Sequence, residues 1–475
     1  MATQGITLGE WLPDQAGITG ALTEAKNVSP LAVGYGSMSG VANYSDAAAE
    51  NITTVFAGKF AGQTTLFASG TTKIFKFDGA DLDLDNVSKS GGYTAVNRMN
   101  YAQFGNSIIV ATGTDKLQRW QLGTSTAFAD LDASAPTARF VTVVRDFVVA
   151  ANEQGDSNKV YWSDINDETD WTPSNLSQSD SQLIPDGGDI QGITGGEFGL
   201  VLLERSIQRM SYVGAPLFFQ FDNISRNIGC YEPNSVIQYG GLTYFLSDDG
   251  FYVCDGQTVR PIGNEKVDRY FFRTCNESEL PKMSAAVDPI NKLIVWCYVT
   301  TSGSRELLIY NWQVGKWTHA ETTANFISSA ATSGITLEGL DLFGNMDTLT
   351  ISLDARQWVG GKFILAGTQG ARIVTFEGSR MTPDIQTGDI SASGANTLVS
   401  LIRPQVDNGN ASVAVASRNR LDGDINYSSL VSADAENRAS VRSVGKYHRI
   451  KIVPSGAQWK TVVSMDVDII PTGGR

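Results

Sequence analysis

The chain has 475 residues, of which 42% are hydrophobic and only 18% are charged. A chain of this length is too long to fold around one ordinary hydrophobic core, so we expect two or more domains, or one domain extended by repeats. The formal net charge is −14 at pH 7. No run of basic residues offsets this negative charge. The balance argues against a double-stranded DNA binder, because an acidic surface repels phosphate.

The N-terminus lacks the basic and apolar segments of a secretory signal, and no apolar run reaches the ~18–20 residues of a membrane span. We therefore expect a soluble protein, made in a cytoplasm, with no stable membrane association. The four cysteines show no close pair and no metal-ligand spacing, which favours isolated buried thiols over disulfides. They are Cys230, Cys254, Cys275 and Cys297.

Residues 1–50 do not share the pattern of the residues that follow, and we predict an extended N-terminal arm there. Its candidate anchors are two aromatic residues, Trp11 and Tyr35. Packing of both rings on the first repeat is favoured, and contact with a partner is the alternative.

A hairpin recurs through residues 51–383, and its clearest copy is 242–256. That copy has an apolar strand, an Asp248-Asp249-Gly250 turn and a second apolar strand closed by Gly256. Glycine supplies the positive φ that such turns need. The copies lie at 65–79, 106–123, 145–164, 198–214, 242–256, 292–312 and 362–378.

These copies recur about every 40 to 65 positions, near the ~40–50 of propeller blades. A hairpin cannot bury both faces alone, so the pattern predicts a β-propeller of about seven blades over residues 51–383. Unrelated hairpins in a large β-sandwich protein are the alternative. Between the hairpins we predict a helix capped by Asn264, with Val267, Tyr270 and Phe271 on its apolar face. Residues 322–358 depart furthest from the repeat and predict a degenerate blade or an insertion.

Residues 384–475 contain short runs with period-two alternation, which predict a C-terminal antiparallel β domain resembling a small sandwich. The fold class is therefore all-β. Basic residues cluster here, for which a solvated strand face is favoured over contact with an acidic partner. The cluster consists of Arg438, Arg442, Lys446, Arg449 and Lys451.

Little in the sequence indicates catalysis. His319 and His448, the two histidines, lack a neighbouring pattern of a triad. Oxygen ligands alternate as in a calcium loop at Asp164, Asn166, Glu168 and Asp170, but the glycine at position six and the distant glutamate are missing. An acidic turn is therefore favoured over a metal site. We expect no enzyme activity and no cofactor.

Four stretches of the chain resemble a known family. They are Gly9-Glu-Trp-Leu-Pro-Asp14 with Ala25-Lys-Asn-Val-Ser-Pro30, then residues 160–171, 287–296 and 445–451. In these stretches the chain resembles the tail hub proteins of short-tailed bacteriophages, also called packaged-DNA stabilisation or head-completion proteins.

The resemblance implies a virion protein of the phage tail, a propeller with a C-terminal β domain that assembles as a homo-oligomeric ring, expected to be hexameric. Such a ring lies below the portal and its adaptor, closes the DNA exit channel and anchors the needle, fibres or spikes. DNA is then only passing cargo. Neighbour contacts are expected in the arm and the basic cluster, at Trp11, Tyr35, Arg438, Arg442, Lys446 and Arg449.

Two other functions stay open. A glycan-binding or glycan-cleaving propeller would present aromatic side chains near a pocket and, if catalytic, a carboxylate pair. An intracellular scaffold propeller is the third reading, although the repeat carries no WD signature.

Overall fold

The computed structural model describes residues 2–15, 17, 20–335, 358–391 and 395–472. The N-terminal segment, predicted as an extended arm, contributes strands to both sheets of the C-terminal domain and to one blade of the propeller. Its strands are β1 (Ala2–Thr7), β2 (Leu22–Lys26), β3 (Val28–Pro30), β4 (Tyr35–Ser37) and β5 (Ala42–Asn43).

Blades 1 to 3 are antiparallel four-stranded sheets whose strands pair in chain order. Blade 1 comprises β6 (Thr54–Phe60), β7 (Gln63–Ser69), β8 (Ile74–Phe77) and β9 (Leu84–Asn86). Blade 2 comprises β10 (Asn100–Phe104), β11 (Ser107–Ala111), β12 (Gln118–Gln121) and β13 (Ala129–Asp130). Blade 3 comprises β14 (Ala138–Val144), β15 (Phe147–Glu153), β16 (Asp156–Trp162) and β17 (Asp180–Leu183).

Blades 4 to 6 have the same order. Blade 4 comprises β18 (Ile190–Thr194), β19 (Gly199–Leu203), β20 (Ile207–Gly214) and β21 (Phe218–Ser225). Blade 5 comprises β22 (Ile237–Tyr239), β23 (Leu242–Leu246), β24 (Phe251–Cys254) and β25 (Val259–Pro261). Helix α1 (Asp268–Thr274) precedes blade 6, which comprises β26 (Ser284–Asp288), β27 (Leu293–Val299), β28 (Arg305–Asn311) and β29 (Lys316–Thr322). Two 3-10 turns cover Pro233–Ser235 and Glu277–Lys282.

Blade 7 is completed by the N-terminal segment. It comprises β30 (Phe326–Ala331), β31 (Phe363–Gln369) and β32 (Arg372–Thr375), and its outer strand is β5. Asn43 pairs with Val374, and Ala42 pairs with Thr375. On the inner side, the Val55 amide of blade 1 donates a hydrogen bond to Ser328 Oγ of blade 7 at 3.2 Å. The ring of seven blades is thus closed, and the propeller prediction is confirmed.

Each predicted hairpin is the pair of middle strands of one blade, from β7–β8 to β31–β32. Middle strands are covered on both faces by the neighbouring blades, and β11, β19 and β27 are buried along their whole length. Such strands read as continuous apolar runs. The outer strands β13 and β17 are mostly exposed, which is why the sequence did not reveal them.

The C-terminal residues form a two-sheet sandwich. Its own strands are β33 (Asp384–Thr387), β34 (Thr397–Asp407), β35 (Asn410–Arg418), β36 (Val431–Ser432), β37 (Ala439–Gly445), β38 (Tyr447–Ser455) and β39 (Thr461–Pro471). One sheet runs β3-β4-β39-β34-β37, with β1 also paired to β39. The facing strands run β2-β33-β38-β35-β36. Along β38 every second side chain is buried, as period-two alternation predicts.

The propeller and the sandwich share one sheet. Strand β29, at the outer edge of blade 6, meets β2 through a parallel bridge at Lys26 and His319, and β2 pairs in turn with β33. The Asn27 amide donates to the carbonyl oxygen of His319 at 2.8 Å. Nine strands therefore run continuously from blade 6 into the sandwich. One hydrophobic cluster spans both parts, with Trp317 from the blade and Ile450 from the sandwich.

The predicted helix exists, but its predicted cap is wrong. Helix α1 begins at Asp268, and Asn264 lies before it rather than at its N-cap. The cap is supplied by Asp14, whose carboxylate accepts hydrogen bonds from the amides of Arg269 and Tyr270, both at 2.8 Å. This acceptor comes from the N-terminal segment, so the sequence around the helix gives no sign of it.

Three further predictions meet the structure as follows. All four cysteines are free and buried, as predicted. The predicted insertion falls between β30 and β31 of blade 7, but residues 336–357 of that stretch lie outside the described residues. No helix in the described part of the chain is both long enough and apolar enough to cross a membrane.

Candidate functional site

A cavity with a volume of about 910 Å³ occupies the central channel of the propeller. Every blade contributes residues from its inner strand, for example Thr54 from blade 1, Thr142 from blade 3 and Ser329 from blade 7. The volume lies at the upper end of the range of small-molecule sites. Because seven rigid sheets hold the wall, the cavity is formed before any ligand arrives.

The wall of this channel is polar and carries only positive charge. Arg98 and Arg139 line it, together with many amide and hydroxyl side chains, and no Asp or Glu is among its lining residues. The whole chain shows the opposite balance, with 50 acidic and 36 basic residues. The amide side chains of the wall are Asn97, Asn100, Asn152, Gln154, Asn234 and Gln238.

Arg98 is held at the base of blades 1, 6 and 7. Its Nε donates to Thr54 Oγ1 at 3.3 Å, its Nη1 reaches the Met283 carbonyl oxygen at 3.5 Å, and its guanidinium lies 5.7 Å from the centroid of the Phe326 ring. Burial lowers the pKa of Arg98 to about 10, so the side chain remains a cation at neutral pH. Among the described residues no carboxylate lies within ion-pair distance of it.

Glu232 is the carboxylate whose charge acts on Arg98, and it is buried. It accepts hydrogen bonds from the Asn234 amide and side chain, both at 3.0 Å. Burial raises the pKa of Glu232, while Asn234 and the charges of Arg139 and Arg98 act to lower it. Both guanidinium groups are therefore close enough to act on one carboxylate. Two cations facing one carboxylate leave this part of the channel positive.

The candidate metal loop does not gather its oxygen atoms around one point. Glu168 accepts from Ser107 Oγ at 2.8 Å, Asp164 Oδ1 accepts from the Gln178 amide at 2.7 Å, and Asp170 Oδ1 accepts from the Thr172 amide at 2.9 Å. The Asn166 backbone is left-handed, with φ of 56°. The described residues contain no cluster of acidic, histidine or cysteine groups able to hold a metal ion. The acidic alternation is thus that of a loop whose carboxylates cap backbone amides.

Trp11 and Tyr35 are completely buried, so neither ring is a surface for a partner. Trp11 stacks on the His319 ring of blade 6, with 4.7 Å between ring centroids and 18° between planes. The Tyr35 hydroxyl donates to the Gly9 carbonyl oxygen at 2.8 Å. Both rings anchor the N-terminal segment as predicted, but at the junction of blade 6 and the sandwich rather than on the first blade.

The basic cluster is largely neutralised. Arg438 pairs with Asp434 at 3.2 Å and with Glu436 at 2.7 Å. Arg449 pairs with Asp389 at 2.9 Å, and Lys451 pairs with Asp384 at 2.6 Å. This leaves two cations of the cluster without a carboxylate partner in the described residues, the exposed Arg442 and the half-buried Lys446.

Sequence reasoning missed the surroundings of both histidines. His319 lies between two carboxylates, with Nδ1 2.8 Å from Glu306 Oε1 and Nε2 against Glu24. Burial alone would lower the His319 pKa, but hydrogen bonds to Glu24 and Glu306 outweigh it and raise the pKa to about 9. The partners come from β2 and β28, so no local motif announces them.

His448 lies in the sandwich core. Its Nδ1 is 2.6 Å from Ser417 Oγ, and its Nε2 is 2.8 Å from Thr397 Oγ1. Burial lowers its pKa. A serine therefore adjoins this histidine, but it lies at Nδ1, where a triad has its carboxylate, and Thr397 at Nε2 takes the place of the triad's serine. The ring is only 1% exposed, out of reach of a substrate.

No protein-family model matches the sequence, and no curated protein sequence matches it. Among solved structures, the Neurospora crassa Pan2 WD40 domain is similar over 69% of this chain and 90% of its own, with 8% identity and a TM-score of 0.38. A chain of the Mitotic Checkpoint Complex is similar over 70% and 90%, with 10% identity and a TM-score of 0.41. YCF48 bound to D1 peptide is similar over 71% and 94%, with 8% identity and a TM-score of 0.38. The propeller fold itself rests on the order of the sheets.

Proposed function

We propose that this chain is a structural subunit of the tail of a short-tailed phage, a hub or connector that assembles as a ring below the portal and adaptor. In that position it closes the DNA exit channel and anchors the needle, fibres or spikes. The single observation that carries the proposal is the sheet shared by the propeller and the sandwich. It makes the two parts one continuous structure, as a connector under mechanical force requires.

The positions of the four stretches that resemble tail hub proteins support this reading. Residues 9–14 and 25–30 lie at the junction, and 287–296 span the turn between β26 and β27 of blade 6. Residues 445–451 include the start of β38. Residues 160–171 belong to blade 3. None of these stretches lines the central channel. The resemblance therefore rests on residues that build the framework, which fits a structural role.

Charge supports the proposal in a second way. A net charge of −14 makes the chain as a whole repel the phosphate backbone of passing DNA. Against this background Arg442 is an exposed cation on β37, the edge strand of its sheet, and a neighbouring acidic subunit is a suitable partner for it. Head-to-tail contacts of this kind generate closed rings.

Native mass spectrometry of the full chain tests the proposal, alone and with the portal-adaptor of the same phage. We expect one closed ring, hexameric if the resemblance holds, either alone or with the adaptor. A monomer under both conditions would refute the ring. Arg442→Glu should weaken assembly, whereas Lys59→Glu, the same charge change at an exposed site of blade 1, should not. Equal assembly of both variants would refute the contact assigned to Arg442.

A further inference from the structure

We infer that the central channel of the propeller is a binding site for a small acidic sugar, one that carries a carboxylate or a phosphate beside its hydroxyl groups. The inference starts from the wall described above, with Arg98 and Arg139 as its charged residues and no lining carboxylate. It does not depend on the tail-hub proposal, because binding in the channel and assembly into a ring are measured separately.

The charge of the wall selects for an anion. Guanidinium groups bind carboxylate and phosphate through paired hydrogen bonds, and low-dielectric walls strengthen that attraction. Glu232, the carboxylate whose charge acts on both arginines, is buried and already accepts two hydrogen bonds from Asn234. It balances at most one of the two cations. An anionic ligand would supply the missing negative charge.

The neutral part of the wall selects for hydroxyl groups. Amide side chains donate and accept at once, and so does the hydroxyl of Thr142, whereas the Ser329 hydroxyl already bonds the Val287 backbone. Such a lining matches a polyhydroxylated molecule better than an apolar one. A bare inorganic anion would leave most of these groups facing water.

The two arginines differ in how firmly they are fixed. Arg98 is held by Thr54, the Met283 carbonyl and the Phe326 ring, and is thus positioned before binding. Arg139 is exposed, and its guanidinium lies 5.2 Å from the centroid of the Phe140 ring. Arg139 can therefore be replaced without disturbing the core, whereas replacing Arg98 would also remove contacts between blades.

Isothermal titration calorimetry of the full chain tests the inference with four probes: D-glucuronate, glucose 6-phosphate, glucose and inorganic phosphate. We expect glucuronate or glucose 6-phosphate to bind at least tenfold more tightly than glucose and than inorganic phosphate. Arg139→Gln should weaken that binding about tenfold or more, the usual effect of losing a hydrogen bond to a charged group. Arg226→Gln, the same change at an exposed site outside the channel, should leave it unchanged.

Several results would overturn the inference. If neither acidic sugar shows saturable binding, the proposed site is refuted. If glucose binds as tightly as the acidic sugars, the role of the arginine charges is refuted. Inorganic phosphate binding as tightly as glucose 6-phosphate would remove the role of the hydroxyl groups. Equal affinities of the wild type and Arg139→Gln would place the ligand elsewhere.

Discussion

The two histidines of this chain should titrate on opposite sides of the ordinary histidine pKa. His319 lies between Glu24 and Glu306, which raise its pKa to about 9. His448 lies between the hydroxyls of Ser417 and Thr397, and burial lowers its pKa below 6.5 despite a backbone hydrogen bond at Gly445. No other histidine exists to confuse the assignment. Selective ¹³C labelling of histidine in the full chain should therefore give two ring signals with well-separated midpoints.

The raised pKa of His319 also affects the stability of the fold. A rise from 6.5 to about 9 corresponds to about 3 kcal/mol of favourable interaction with the protonated ring. Because the folded pKa lies above the unfolded one, this contribution is fully present below pH 6.5 and is lost as the pH rises through about 9. The junction of propeller and sandwich should therefore be weakest in alkaline solution.

Glu24→Gln provides the perturbation. It removes one of the two carboxylates, so we expect the His319 midpoint to fall while His448, in the same sample, does not move. Urea unfolding followed between pH 6 and pH 10 should show a smaller alkaline loss of stability in this variant than in the wild type. A His319 signal that titrates at or below 6.5 in the wild type would refute the reasoning.

Thermal unfolding tests three further substitutions, at Asp14, Asp268 and Asp389. Asp14→Ala removes the acceptor of two amides at the start of α1 and should destabilise the chain by ~1–2 kcal/mol, as lost caps do; an unchanged melting temperature would contradict this. Burial raises the Asp268 pKa to about 7, so the ionisation of this carboxyl lowers the stability of the fold as the pH rises from about 4 to 7. Asp268→Asn should therefore be more stable than the wild type at pH 8 but not at pH 4. Asp389→Ala leaves Arg418 and Arg449 without their shared counter-charge and should cost ~3–5 kcal/mol; a loss under 1 kcal/mol would show that water replaces the carboxylate.

The propeller could be read from the sequence because the middle strands of each blade are covered on both faces. Strand β27 is apolar throughout for that reason. The inner strands have a mixed pattern of apolar and polar residues because they face the polar channel. Strand β10, for example, is half-buried along most of its length. The strand that closes the ring, β5, has two residues and lies far in sequence from its partner β32. No local pattern could have revealed it.

The site was harder to predict than the fold because its residues come from different blades and are brought together only when the ring of blades closes. Arg98, Arg139 and Glu232 come from the inner regions of blades 2, 3 and 5 and have no common motif. Conversely, the local motif that was visible, the alternating acids from Asp164 to Asp170, lies in a loop where Asp164 and Asp170 each accept a hydrogen bond from a backbone amide. Aspartates cap backbone amides two residues on, which produces the same spacing as a ligand loop.

The shared sheet also connects the two proposals. Blade 6 continues into the sandwich through β2 and β33, so the axis of the propeller has a fixed direction relative to the sandwich. A subunit held in a ring through its sandwich would then present its channel at one angle in every copy. An acidic sugar bound there would be displayed in the symmetry of the ring, and repeated display converts weak single-site binding into strong attachment. The affinity of one channel for glucuronate can therefore be modest and still matter in the assembled particle.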